Sequence, residues 1–397
     1  MRRISETKLI NLFIYIAIFS FLFNKTCYLP MIFDYIVSAI SMGLFLFLLV
    51  WYIVRFKYSK IIIIFGLYFI FGLLSCYLGE YSNPLTFFKI YYPIFGALLL
   101  IDIFIKSKCK LIIFALEKAF FTLIFINFLT IIFYPNGLFA DELYSNNWFL
   151  LYDNLHIFIY IPGLIVSLIA SKYKKNKYLF FTMLSMIMYS VFFCKSATSM
   201  VGLGIFLILY LFKDFFKKFN FMNAVTYLYT YITIFIGIVV LRFQNLFSFF
   251  IVDYLHKDLT FTGRTFLWDN VLNYIQEKPF LGYGIESNSV FINKMGFRLY
   301  THAHNTIYDI VYKGGIVSLI FFAFLLIISS KKLKEMNKSV ISVIISGGML
   351  SLYLMMNFEA REDKIGLYLL IILSYYISNI IKDNNTKENE CDIDGQS

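Results

Sequence analysis

Charge is what this chain has least of. Asp, Glu, Lys and Arg make up 15% of its 397 residues, against about 25% in an ordinary soluble domain, and that shortage excludes the soluble classes. Proline is also rare, with 6 residues, and no Pro/Gly-rich linker, low-complexity tract or internal repeat marks a boundary between domains. One integral membrane domain, residues 1–397, is the expectation. The cysteines at 27, 76, 109, 194 and 391 show neither CxxC pairing nor metal-ligand spacing, so buried or free thiols are expected rather than a disulfide framework or a zinc centre. Acidic residues number 24 against 35 basic ones, a net charge of +11. In a soluble protein that excess would suggest nucleic acid, but here its distribution points elsewhere.

What fills the chain is apolar: 60% hydrophobic residues, 48 of them Phe. Apolar stretches follow one another at 8–23, 31–54, 60–78, 86–105, 110–133, 154–171, 178–194, 199–212, 223–241, 306–329, 339–357 and 365–381. Stretches of this kind cross a lipid core only as helices, because every backbone N–H and C=O must find a partner without water. The fold class expected is therefore all-α, a polytopic helix bundle of about twelve membrane spans. The short spans among them imply local thinning or flanking side chains that reach the interface.

The cations group at Arg2/Arg3/Lys8, Arg55/Lys57/Lys60, Lys106/Lys108/Lys110, Lys172/Lys174/Lys175/Lys177, Lys213/Lys217/Lys218 and Lys331/Lys332/Lys334/Lys338. Every second connection carries such a group. By the positive-inside rule this puts both termini in the cytoplasm and residues 242–305 outside. The first span follows basic residues as a signal peptide would, yet no small-residue cleavage site follows it, so an uncleaved helix is expected. The polar stretch 382–397 reads as a disordered cytoplasmic tail.

Ionisable residues inside spans cost about 2.5–3.5 kcal/mol each on insertion scales, so each needs a reason. Lys89 lies just inside the outer end of the fourth span, either lining an outward-open cavity or snorkelling. Glu117 and Lys118 are about 100° apart on one helix, so each requires a partner on another element.

The long polar interruption holds most of the readable chemistry. Residues 246–256 are apolar and aromatic, as an interfacial helix would be. Thr262-Gly263-Arg264-Thr265 then opens a second helix that Lys278-Pro279 closes, with an apolar stripe of Leu267, Trp268, Val271, Leu272 and Ile275. Gly282-Tyr283-Gly284 follows as a tight turn. Arg264 in a first helical turn opposes the macrodipole unless an anion sits there. Both an anion site and an ordinary exposed arginine are consistent with that position. His302 and His304 have a spacing that suits a strand-borne metal pair, but no third ligand cluster is evident in the sequence. A histidine at the mouth of an outer cavity is better suited to accept a proton, a purely structural histidine being the alternative. Glu359, Arg361 and Glu362, in the last outer turn, could face the same cavity, although solvated charges are the favoured reading.

These motifs have a family context. Thr262-Gly263-Arg264-x-x-x-Trp268, then Pro279-Phe280-Leu281-Gly282-Tyr283-Gly284, then His302-Ala303-His304-Asn305, closing near Gly315, resemble the O-antigen ligase/polymerase superfamily. Ligases of that group carry His-[Asn/Ser/Gln]-x9-Gly-x-x-[Gly/Thr/Tyr]. Here His304-Asn305, nine residues and Gly315 fit, while Ser318 holds the last position. The group's short Ser-[Arg/Lys]-[Thr/Ser] turn appears as Ser196-Ala197-Thr198, without the basic residue, and Lys195 stands beside it. The resemblance implies a metal-independent glycosyl transfer from undecaprenyl diphosphate at the outer face of a bacterial cytoplasmic membrane, with no cofactor.

On that basis His304 and Arg264 are the catalytic candidates. Lys195, Arg298 and Lys89 are the helper cations, Trp268, Tyr283 and Tyr300 candidate sugar platforms, and His302 and Asn305 neighbours of the site. Asn305 is better suited to fix His304 than to touch substrate. The implied partners are an undecaprenyl-diphosphate-linked oligosaccharide, membrane lipid and a chain-length regulator. A polymerase that joins repeat units fits best. A ligase that hands finished glycan to another acceptor is the near alternative, and a transporter of lipid-linked oligosaccharide, lacking the matched halves of transporters, is the distant one.

Overall fold

The computed structural model describes residues 2–55, 58–140, 146–219, 222–248, 258–261, 263–297 and 300–384. It is helical: α1 (Arg2–Phe23), α2 (Met31–Arg55), α3 (Lys60–Leu78), α4 (Pro84–Phe133), α5 (Ile157–Lys174), α6 (Tyr178–Cys194), α7 (Ala197–Leu211), the short α8 (Lys213–Phe216), α9 (Ala224–Ile234), α10 (Arg264–Glu277), α11 (Asn288–Met295), α12 (Thr306–Glu335), α13 (Val340–Met356) and α14 (Ile365–Tyr375). Among the described residues only isolated β-bridges, such as Ser82 with Glu286, represent extended pairing.

Each of the apolar segments is helical. Five helical stretches (α2, α3, α4, Asp153–Lys174 and α12) are long and apolar enough to cross a membrane, or six if α14 and Ile377–Asn384, bent by 67°, form one span. Five further apolar helices of 10–17 residues fall short of that length. The count therefore departs from about twelve on length alone. Part of the difference is α4, which carries two of the expected segments in 50 residues with one non-helical position, Lys108, at the expected basic break. The tail expected to be irregular from residue 382 begins as helix up to Asn384, and residues 385–397 lie outside the described set, as do 249–256 of the expected interfacial helix.

The ionisable residues inside spans found partners between helices. Glu117 on α4 pairs with Lys174 of α5 and accepts from Ser167, and Lys118 stacks over the Tyr15 ring of α1 at 5.0 Å. Removing Lys174 would leave the buried Glu117 carboxylate without its cation, whereas Lys118 is exposed at its contact with Tyr15.

The element that positions the site is α12. It is broken at Gly315, whose φ of 65° and ψ of −174° belong to a region that glycine alone occupies readily. The Pro279–Gly284 segment packs into this break. A Cβ on Gly315 would collide with the Phe280 carbonyl, and one on Gly282 with the Tyr312 carbonyl. The backbone groups that the break frees are paired with that segment: Tyr283 N–H donates to Tyr312 O at 2.8 Å, Gly284 N–H to Lys313 O at 2.8 Å, and Ile316 N–H to Pro279 O at 2.8 Å. Irregular backbone inside a helix bundle is tolerated when protein supplies its partners in this way. Gly282 and Gly315 thus let the loop dock closely onto the bundle, and α3 packs on the same helix.

Candidate functional site

Asn305 caps α12, its side-chain oxygen accepting from Tyr308 N–H at 3.0 Å, as an N-cap asparagine does. Its amide donates to Asn357 O at 3.0 Å. Thr306 donates its hydroxyl to Glu359 O at 2.8 Å and accepts from Arg361 N–H at 3.2 Å. The start of α12 is therefore tied to the turn between α13 and α14. Upstream, Ala303 is held on both sides: its N–H donates to Asp309 Oδ1 at 3.0 Å, and its carbonyl accepts from Trp268 Nε1 at 3.0 Å. Between these anchors His304 takes a φ of 46°, the left-handed region in which a non-glycine residue is strained. Its ring sits 5.1 Å from Tyr300 and 4.0 Å from His302, centroid to centroid.

Glu359 is the point on which this region converges. It is 1% exposed. Arg264, the first residue of α10 after the left-handed Gly263, donates from Nη2 to Oε1 at 3.1 Å. Arg361 donates from Nη2 to Oε2 at 3.1 Å. His304 Nδ1 lies 3.4 Å from Oε2 but is not aligned as a hydrogen bond. Asn154 reaches Oε1 from the α4–α5 connection at 3.4 Å, and Ser196 donates to Asn154 Oδ1 at 2.7 Å. Four separate connections thus meet at one carboxylate. Arg264 has its anion at the helix start, and in this state that anion is the protein's own.

The electrostatics follow from burial and these contacts. Burial alone would push the Glu359 carboxyl up, but the His304 contact and the Arg361 and Arg264 guanidiniums outweigh it and hold it at about 2. Burial lowers the His304 imidazole, Glu359 opposes that, and both arginines add to the lowering. His302 is lowered further, by burial first, then by His304, Arg361 and Lys313. Both histidines are neutral near pH 7, so either can accept a proton.

Several expected residues stand elsewhere. Trp268 is fully buried with its N–H spent on Ala303, so it anchors the histidine segment and presents no face to a sugar. Tyr283 is buried against Tyr312 at 5.1 Å, donates to Glu277 Oε2 at 2.7 Å and lies under Lys294 at 3.9 Å. It is a packing residue. Lys89 is exposed on α4, with no recorded contact to Glu359 or His304. Lys195 is exposed in the turn beside Ser196, with a left-handed φ of 55°, and so borders the cluster. His302 supports it, accepting His304 N–H at 3.3 Å. Asn305 fixes backbone. Arg298 and Thr262 lie outside the described residues. The solvated charges expected at 359–362 are in fact interior, with Arg361 7% and Glu362 2% exposed. Arg264 and His304 lie against Glu359, and Lys313 of α12 against Glu362, contacts that their local sequence does not signal.

The third ligand that the sequence did not reveal is Glu359: with His302 and His304 it offers donor atoms all within 4.8 Å of one another. Two guanidiniums already face that carboxylate, however. At 4 Å and an effective dielectric near 20, each unit charge pair is worth about 4 kcal/mol, so a divalent cation would meet repulsion where an anion would meet attraction. The arrangement suits an anion beside a neutral base.

Residues 178–323, less than half of the chain, match the family model described as O-antigen ligase. The match runs from α6 into α12, takes in Arg264 and His304, and bears out the resemblance that the motifs carry. No curated protein matches the chain.

Proposed function

We propose that this chain, which falls in the O-antigen ligase/polymerase superfamily over residues 178–323, is a polysaccharide polymerase. It joins undecaprenyl-diphosphate-linked oligosaccharide repeats at the outer face of a bacterial cytoplasmic membrane, with both termini in the cytoplasm. The observation that carries this reading is the convergence of Arg264 and His304 on one buried carboxylate, Glu359. A cation for a leaving diphosphate and a neutral base for an incoming hydroxyl stand side by side.

In the reaction, an acceptor sugar hydroxyl gives its proton to His304 as its oxygen attacks the anomeric carbon of the donor. The bond from that carbon to the phosphate oxygen breaks, and the electron pair leaves with the diphosphate. Arg264, with Lys195 at the rim, offsets the charge that the departing phosphate gains. Attack opposite the leaving group inverts the anomeric centre. Glu359 orients the imidazole and balances the proton it takes up. A cavity of about 280 Å³ between α9 and α12, lined by Tyr231, Phe235, Ile236, Ile307, Leu319 and Phe322, begins two residues beyond Asn305. Its apolar lining suits an isoprenoid chain whose diphosphate lies at the cluster.

The test is the glycan profile of cells carrying single substitutions. His304→Ala and Arg264→Ala are expected to abolish long-chain glycan, about a 10²–10⁴-fold rate loss for removal of a general base, and to leave single repeats on the carrier. Arg264→Lys is expected to be nearly as damaging, because an ammonium lacks the guanidinium fork. Normal chain length in either Ala variant removes that residue from the reaction. Finished polymer stranded on its lipid would instead establish the second reading, a ligase, which the description of the matched family favours.

A further inference from the structure

The superfamily's short turn ordinarily carries a basic residue where this chain has Ala197, and the neighbouring Lys195 is exposed rather than part of the buried cluster. A second cation is nevertheless present, on a different element. Arg361 enters from the α13–α14 turn and shares Glu359 with Arg264, one guanidinium on each carboxylate oxygen. Its Nε is buried and has no hydrogen-bond partner. A guanidinium donor left bare in the interior is costly, and it marks a place where an acceptor is missing.

The charge count agrees. Two guanidiniums face one carboxylate, with both nearby imidazoles neutral. The closest lysine, Lys313, does not alter the balance, because Asp309 and Glu362 already pair with it. Asp153 also acts on Glu359 from the α4–α5 connection, and Asp363, paired with Lys364, acts on Arg361. The excess of cation is therefore confined to the direct partners of Glu359, where an anion would meet two guanidiniums and a metal ion would be repelled by them.

We propose that Arg361 is the second diphosphate-binding cation of this chain, taking over from the turn at Ala197, and that Glu359 holds the place of the substrate's phosphate until it arrives. Substrate oxygens would displace Glu359 from Arg264 and Arg361 and accept the free Arg361 Nε–H. The inference rests on the transferase reading above and assigns one residue within it.

The experiment measures binding of farnesyl diphosphate and farnesyl monophosphate to the purified full chain in detergent, with thermal unfolding as the folding control. The unsubstituted protein should favour the diphosphate by about tenfold or more, as two-point guanidinium recognition allows. Arg361→Gln should erase that preference and Arg361→Lys should restore it only in part, whereas Lys195→Gln at the rim should have the smaller effect. Glu359→Gln should bind the diphosphate more tightly, since a competing carboxylate is gone, a sign that a merely structural ion pair would not give. If Arg361→Gln fails to fold, Arg361→Lys and Glu359→Gln still decide the matter. Unchanged diphosphate affinity in folded Arg361 variants, or weaker binding in Glu359→Gln, overturns the assignment and leaves the transferase reading intact. Absence of any diphosphate preference in the unsubstituted protein instead brings down that reading, and this inference with it.

Discussion

Two buried charge clusters lie almost side by side at the head of α12, and their charges are paired differently. In the first, Arg264 and Arg361 share Glu359, one carboxylate for two cations, with an orphaned Arg361 Nε and an unaligned His304 Nδ1. In the second, Lys313 lies between Asp309 and Glu362, and Lys364 pairs with Asp363 at 2.7 Å. Burial and the nearby Asp309 push the Glu362 carboxyl up, against the pull of Lys313. Here too single carboxylate oxygens, Glu362 Oε2 and Asp363 Oδ1, lack a hydrogen-bond partner, but each cation has a carboxylate of its own. Both are interior, so burial does not tell them apart. The pairing of charges does: Lys313 has a carboxylate on each side, whereas at Glu359 two guanidiniums share one carboxylate.

Breaking the second cluster should give the largest effect on stability. Lys313→Met leaves Asp309 uncompensated in the bundle, and removal of one partner from a buried pair costs about 3–5 kcal/mol. The measurement is thermal or denaturant unfolding of the purified protein in detergent. Arg264→Ala in the first cluster should cost distinctly less, because Glu359 keeps Arg361 and the excess of cation around it is relieved. Equal losses in the two variants would erase the distinction between them.

A smaller effect is expected at the anchor that serves both clusters. Trp268→Phe keeps the aromatic bulk but leaves the Ala303 carbonyl without its donor. A buried acceptor left unpaired costs about 1–3 kcal/mol, read as a lower unfolding midpoint. Were Trp268 a sugar platform, phenylalanine would still stack, stability would hold and only the donor KM would move.

How far the site could be read from the chain follows the range of the interactions. Arg264 at a helix start and the Pro279–Gly284 turn were legible, because proline and glycine act on their own backbone, whereas Asn305 was read as fixing His304 and proved to cap α12. The helices were legible from apolar runs, including the break near Lys108. Glu359 and Arg361 could be read as facing the cavity only as the less favoured alternative to solvated charges. Whether a charged turn is solvated depends on what folds over it, and the Arg264–Glu359 pair joins residues 95 positions apart. For Trp268 and Tyr283 sugar stacking and packing stood as equal alternatives for the same reason, since an aromatic ring reads alike whether it packs against a sugar or against Tyr312. Lys89 showed a cation inside a span, but not which way it faced.

The finest separation of the clusters is by pH. His304 acts as a base only when neutral, and burial, Arg264 and Arg361 lower it while Glu359 raises it. Activity should therefore be present above its folded-state pKa and fall as pH drops through it, placing the acid limb below pH 6.5. The same depression makes the neutral imidazole stabilising above its unfolded value, a contribution lost as pH falls toward the folded one. In Glu359→Gln the contribution that raises the pKa is gone, so the limb of the residual activity should move to lower pH. Lys313→Met, which acts on His302 and not on His304, should lower stability and leave the limb where it was. If the limb moves with Lys313 instead, the two clusters titrate as one, and the pairing of charges no longer separates the reacting site from its support.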